Sequence, residues 1–221
     1  MNDYLKEMCV VGIACFAFAA CQATAAAEKQ IEADEMMMAA AGPDAPGQTD
    51  IVGLVELEVC QNGVGDWTFS DYDSFGFQQG FSAPQSDDQG NINLANVGRE
   101  GDVIIMAHVC PFVDGNATDM LFYTGDSPPA RDNYQAVGIA DCGSNTNCTG
   151  ATNPPQYGSG HWPGEFTAPL ISDDGATLVF IDLDDAPGRG KTYYYALRIV
   201  DVNTNEVTVL DPKIINKNLD R

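Results

Sequence analysis

The chain has 221 residues, 44% of them hydrophobic, enough for one ordinary domain with a real core once an N-terminal export segment is set aside. Its 32 Asp plus Glu against 10 Lys plus Arg give a formal net charge of -22. Such a surface repels phosphate backbones and anionic headgroups, which excludes a nucleic-acid partner and leaves a lipid anchor as the route to a membrane; it suits high salt, divalent cations or simple solubility outside the cell.

Residues 10–20, VVGIACFAFAA, form an apolar run of the length of a signal-peptide core, too short for a permanent membrane helix. The run ends in Phe18-Ala19-Ala20-Cys21, which resembles the lipobox of bacterial lipoprotein signal peptides. The resemblance implies that residues 1–21 form the signal, that Cys21 carries the lipid, and that Gln22 after it is compatible with the outer membrane or cell surface. Ala25-Ala26-Ala27 offers an ordinary signal-peptidase site as well, and cleavage there would give a secreted or periplasmic protein.

Residues 22–50 read as a flexible tether. Residues 26–41 are good helix formers with Glu28, Glu32 and Glu35 among them, and Gly42-Pro43-Asp44-Ala45-Pro46-Gly47 ends any helix. Met36, Met37 and Met38 are consecutive, so they share no helical face, and no histidine stands near to complete a copper site.

From residue 51 the pattern is β. Val55-Glu56-Leu57-Glu58-Val59 alternates strictly, as a half-buried strand does, and 67–69 and 92–94 repeat the alternation. Residues 103–109 are nearly all apolar, which suits a central strand covered on both faces. Further strands are expected over 120–123, 134–139, 165–171, 176–183, 192–200 and 206–210, punctuated by Gly, Asn, Asp and Pro. The last three read as a meander, with connector 184–191 and the turn Asn203-Thr204-Asn205. About ten short strands without a long 3.6-residue period predict an all-β fold, an antiparallel β-sandwich or jelly roll over 51–221.

Of seven cysteines, Cys9 and Cys15 leave with the signal, and Cys60, Cys110, Cys142 and Cys148 remain in the domain. An even set in an exported domain predicts two disulfides. Cys142 and Cys148 bracket a short polar loop, and Cys60 and Cys110 each end an expected strand, so the pairing Cys60–Cys110 and Cys142–Cys148 is expected. The spacing does not fit the two close pairs of a four-cysteine zinc site.

Motifs for catalysis are absent: no G-x-S-x-G elbow, no H-E-x-x-H and no Walker loop. His108 lies inside an apolar strand and reads as a half-buried sheet histidine. His161 lies in the turn-rich Gly158-Ser-Gly-His-Trp-Pro-Gly164, too close to Ser159 for an ordinary nucleophile–base pair. Aromatics beside polar loops suit sugar stacking, and Trp162, His161, Tyr157 and Trp67 are the candidate ligand-binding residues. Asp182, Asp184 and Asp185 are candidate oxygen ligands for calcium, the one cofactor the sequence offers, though without EF-hand spacing.

These features point to a non-enzymatic envelope or surface module that binds a glycan, a protein or calcium. A structural subunit that lends residues 28–55 as a strand to a neighbouring copy is the second reading, with a homo-oligomer as its consequence. A secreted β-sandwich hydrolase or lyase is the third.

Overall fold

A computed structural model describes residues 51, 53–62, 65–71, 74–76, 85–94, 102–113, 116–125, 132–143, 152, 154–183 and 192–215. The signal segment, Cys21, the tether, Cys148, Asp184 and Asp185 lie outside the described residues. Fifteen strands run through the described part: β1 (Gly53–Gln61), β2 (Trp67–Asp71), β3 (Phe75–Gly76), β4 (Gln85–Ser86), β5 (Ile92–Asn93), β6 (Val103–Val109), β7 (Phe112–Val113) and β8 (Asn116–Ala117), then β9 (Met120–Phe122), β10 (Val137–Asp141), β11 (Leu170–Ile171), β12 (Thr177–Asp182), β13 (Thr192–Asp201), β14 (Val207–Leu210) and β15 (Lys213–Ile215).

They make two main sheets. Sheet I has the order β11-β12-β6-β1-β2, with β3 also on β1. Sheet II has the order β10-β13-β15-β5-β4, with β9 and β14 also on β13. β7 and β8 form a separate small hairpin.

The alternation of side chains sets the layers. Val55, Leu57 and Val59 of β1, Val103, Ile105, Ala107 and Val109 of β6, and Leu178 and Phe180 of β12 pack with Tyr193, Tyr195, Leu197 and Ile199 of β13 in one core between the sheets. Each such fully buried side chain contributes roughly 1.5–3 kcal/mol relative to exposure. β6 is apolar on both faces because both are covered: Ile104 and Met106 join Leu54, Val179 and Ile181 in a second apolar cluster on the outer side of sheet I.

The all-β sandwich expected from the sequence is the fold, with two differences. Both sheets are mixed: β1 runs parallel to β6, and β5 parallel to β15. The C-terminal meander is also split. β12 pairs with β6 and β11 in sheet I, whereas β13 belongs to sheet II, so the 176–183 and 192–200 strands are not neighbours. Both strands carry apolar residues at alternate positions, and each satisfies that pattern on opposite walls of the same core. The β13–β14 hairpin is formed as expected, with Asn205 at φ 57 in its turn.

Cys60 at the end of β1 is bonded to Cys110 just after β6. Cys142 is also disulfide-bonded.

Candidate functional site

The candidate ligand-binding residues of the 154–162 loop lie against β10, an edge strand of sheet II. Asp132 starts the approach by accepting a hydrogen bond from Tyr134 N at 3.1 Å, which turns Asn133–Gln135 into a single 3-10 turn ahead of β10. Gln156 then forms an antiparallel bridge to Ile139 of β10. The strap packs tightly over Gly138. A Cβ there would stand 3.1 Å from the Tyr157 ring, 3.2 Å from the Gln156 carbonyl oxygen and 3.2 Å from Pro155.

Tyr157 fixes the middle of the strap. The Arg198 guanidinium of β13 stacks over its ring at 3.4 Å, and Arg198 also donates to Gln135 Oε1 at 3.2 Å. Such a stacked pair is worth about 0.5–2 kcal/mol. Burial pushes the Tyr157 phenol above its usual value, partly offset by the positive charge of Arg198. Gly158 follows at φ 98 and ψ 149, a region open in practice only to glycine, and its N–H donates to the Tyr134 carbonyl at 3.1 Å. A second 3-10 turn, Ser159–His161, leaves His161 exposed.

Trp162 closes the strap. It is half-buried, edge-on to Tyr134 at 5.3 Å and to Phe180 at 5.9 Å, and its Nε1 donates to the carbonyls of Phe166 and Thr167, both at 3.0 Å. Its indole is thus an anchor against the core. Between strap and strand lies an open cleft of about 350 Å³, lined by Ile139, Asp141, Thr152, Pro154, Gln156 and His161 among others.

The cleft therefore collects His161, with Tyr157 and Trp162 holding the strap that carries it. Trp67 lies elsewhere: it starts β2, an edge strand of sheet I, and packs half-buried against the core. Asp182 is 2% exposed and shares the inward parity of Leu178 and Phe180. Among the described residues, the one group of three close metal-ligating side chains is Glu58, Cys60 and Cys110, and two of those are joined as a disulfide.

Sequence reasoning passed over Asp141 at the end of β10 and Thr152 and Gln156 of the following loop, which meet at the cleft. It expected His108 to be half-buried and hydrogen-bonded, without naming the partners. On the outer side of sheet I, His108 Nε2 lies 2.8 Å from Glu56 Oε1, and Nδ1 lies 3.0 Å from Thr177 Oγ1. The outward parity of Glu56 and His108 was the available signal. This row ties β1, β6 and β12 together where the outer face turns from apolar to polar, and it engages both ring nitrogens.

Fold and cleft together define a disulfide-bonded β-sandwich with an open polar surface site. No protein family, curated protein or solved structure matches the chain.

Proposed function

We propose that this chain is an exported module of the cell envelope or cell surface, non-enzymatic, that binds a glycan or a protein through the cleft beside β10, or calcium at a separate acidic site. The observation that carries the reading is the cleft itself: exposed His161 and Gln156 and the Asp141 carboxylate line one opening of about 350 Å³ on a braced strap. Convergent donors and acceptors on a pre-formed wall suit hydroxyl-rich or peptide ligands. Export rests on the apolar segment 10–20 and on Cys21 as a lipid anchor, with secretion to the periplasm or beyond as the alternative. That calcium site draws on Asp182 with Asp184 and Asp185, at the end of β12 and outside the cleft lining.

Strand lending by residues 28–55 is the weaker reading. β1 already lies between β6 and β2 of its own chain, and the Cys60–Cys110 bond ties its end to that of β6. A β-sandwich hydrolase or lyase is the third reading, and His108 with its partners Glu56 and Thr177 lies on sheet I, outside the cleft lining.

Affinity electrophoresis of the full chain through gels cast with soluble surface polysaccharides, with and without calcium, tests the cleft. Retardation that His161→Ala and Gln156→Ala abolish is the expected result. Retardation unchanged in both variants would remove the cleft from the account.

A further inference from the structure

Among the described residues, sheet II has an open position beside β14. β14 and β15 lie on one register opposite β13, since Val200↔Val207 and Tyr194↔Lys213 continue the same pairing. Asp201 N donates to the Glu206 carbonyl and Tyr195 N to the Pro212 carbonyl, so the odd-numbered residues of β13 make the hydrogen-bonded pairs. By antiparallel alternation, the N–H and C=O groups of Val207, Val209 and Lys213 point away from β13. At the Lys213 end this outer row is used: Lys213 N donates to Asn91 Oδ1 at 3.0 Å, and β5 pairs there with β15. At the Val207 and Val209 end, no strand among the described residues takes it up.

The same stretch is apolar outside. Val207 is 37% exposed, Val209 48% and Val202 50%, and these are the exposed large hydrophobic residues of the described part. Val200, half-buried, stands opposite Val207. Acidic residues bound the patch: exposed Glu206 precedes Val207, and exposed Asp211 follows Leu210. An edge of this kind in an ordinary monomer is blunted by lysine or by a covering element. Here the rim is negative on a chain of net charge -22, so the same edge of a second copy is repelled and a positively charged strand is attracted.

We propose that the β14 edge docks an extended segment of a partner protein, which adds to sheet II as a strand, lays aliphatic side chains at alternate positions over Val207 and Val209, and meets Glu206 and Asp211 with Lys or Arg at its ends. Main-chain hydrogen bonds supply affinity and the alternate pockets supply selectivity. The surface is separate from the β10 cleft, so either assignment stands or falls alone.

The test uses the full chain and a fluorescent peptide, acetyl-Lys-Thr-Val-Thr-Val-Thr-Lys-amide, against the same peptide with Glu at both ends, read by anisotropy. The lysine peptide is expected to bind at least about tenfold more tightly, and to weaken as salt rises. Val209→Pro removes one outward N–H without breaking the ladder to β13, and should weaken binding about tenfold. The double variant V207T/V209T keeps the backbone and should weaken it as well, which preserves the test if the proline variant unfolds. His161→Ala should leave peptide binding unchanged. Equal binding of the two peptides, or binding indifferent to both edge variants, overturns the proposal. Self-association of the full chain that Val209→Pro abolishes would also overturn it, by assigning the edge to a second copy.

Discussion

Two tyrosines one turn of the pleat apart on β13 show how differently a buried hydroxyl can be used. Tyr195 and Tyr193 both face the core and are essentially unexposed. The Tyr195 hydroxyl donates to the Gly90 carbonyl at 2.6 Å, tying β13 to the turn before β5. The Tyr193 hydroxyl has no hydrogen-bond partner among the described residues, and its ring is held by edge packing on Phe166 at 4.9 Å. Tyr195→Phe leaves a buried carbonyl unsatisfied and should cost about 1–3 kcal/mol, whereas Tyr193→Phe should be neutral or stabilising by about 1 kcal/mol. Parallel denaturant melts of the two variants check this contrast, and equal losses would refute it. Burial also raises the Tyr195 phenol well above 10.0 and raises Tyr157 above the same value. The folded state thus favours the neutral phenols. Their contribution is complete below about pH 10 and is lost as pH rises through the folded values. Stability should hold from about pH 8 to 10 and fall beyond, and Tyr157→Phe with Tyr195→Phe should flatten that fall.

At the scale of elements, the Cys60–Cys110 bond joins the ends of two parallel neighbours across a sequence separation of 50. Replacing both cysteines by alanine should cost about 4 kcal/mol by loop-entropy reasoning, seen as a lower midpoint, and reducing agent should lower the native chain's midpoint further because it also opens the Cys142 bond. The strands that sequence made legible are those whose burial is one-sided or complete. β1 alternates because its outer face ends in Glu56 and Glu58, and β6 is continuous because both faces are covered. Where local chemistry intervened, the reading slipped. The stretch expected as a strand over 134–139 begins as a 3-10 turn, because Asp132 captures Tyr134 N. That over 165–171 reduces to β11, preceded by Pro163 and Pro169. β15 was hidden behind Pro212, which reads as a strand breaker yet accepts from Tyr195 N through its carbonyl while the strand continues. Parallel pairing was illegible, since it depends on which sheet each distant strand joins.

For the whole molecule, the charge of -22 sets the response to solvent. Self-repulsion acts against the compact state and is screened by salt. Raising sodium chloride from about 0.05 to about 0.5 M should raise the melting temperature by about 2–4 °C for each kcal/mol of repulsion relieved. A flat or falling midpoint would mean that the acidic groups are already compensated within the fold. The site was legible only in part for a related reason. The 154–162 loop announced itself by glycine, proline and aromatic residues, but the cleft forms where that loop packs back over β10 at Gly138, a contact across about 18 residues of chain.

The parallel placement of β1 beside β6 has a mechanical side. A pull applied at residue 51, as an N-terminal anchor would apply it, loads β1 along its own length between β6 and β2. All the rungs then bear the load together, in shear, where a strand at an edge would peel one rung at a time. Once β1 yields, the force path passes from Cys60 directly to Cys110 and spares the chain between them. In single-molecule stretching, the oxidised protein should therefore release about 170 Å less contour length than the variant with Cys60→Ala and Cys110→Ala, the reach of the 50 residue steps that the bond removes. β1, the first strand of the described part, is thus placed to resist tension, and β2 through β6, inside the covalent ring, are shielded from it.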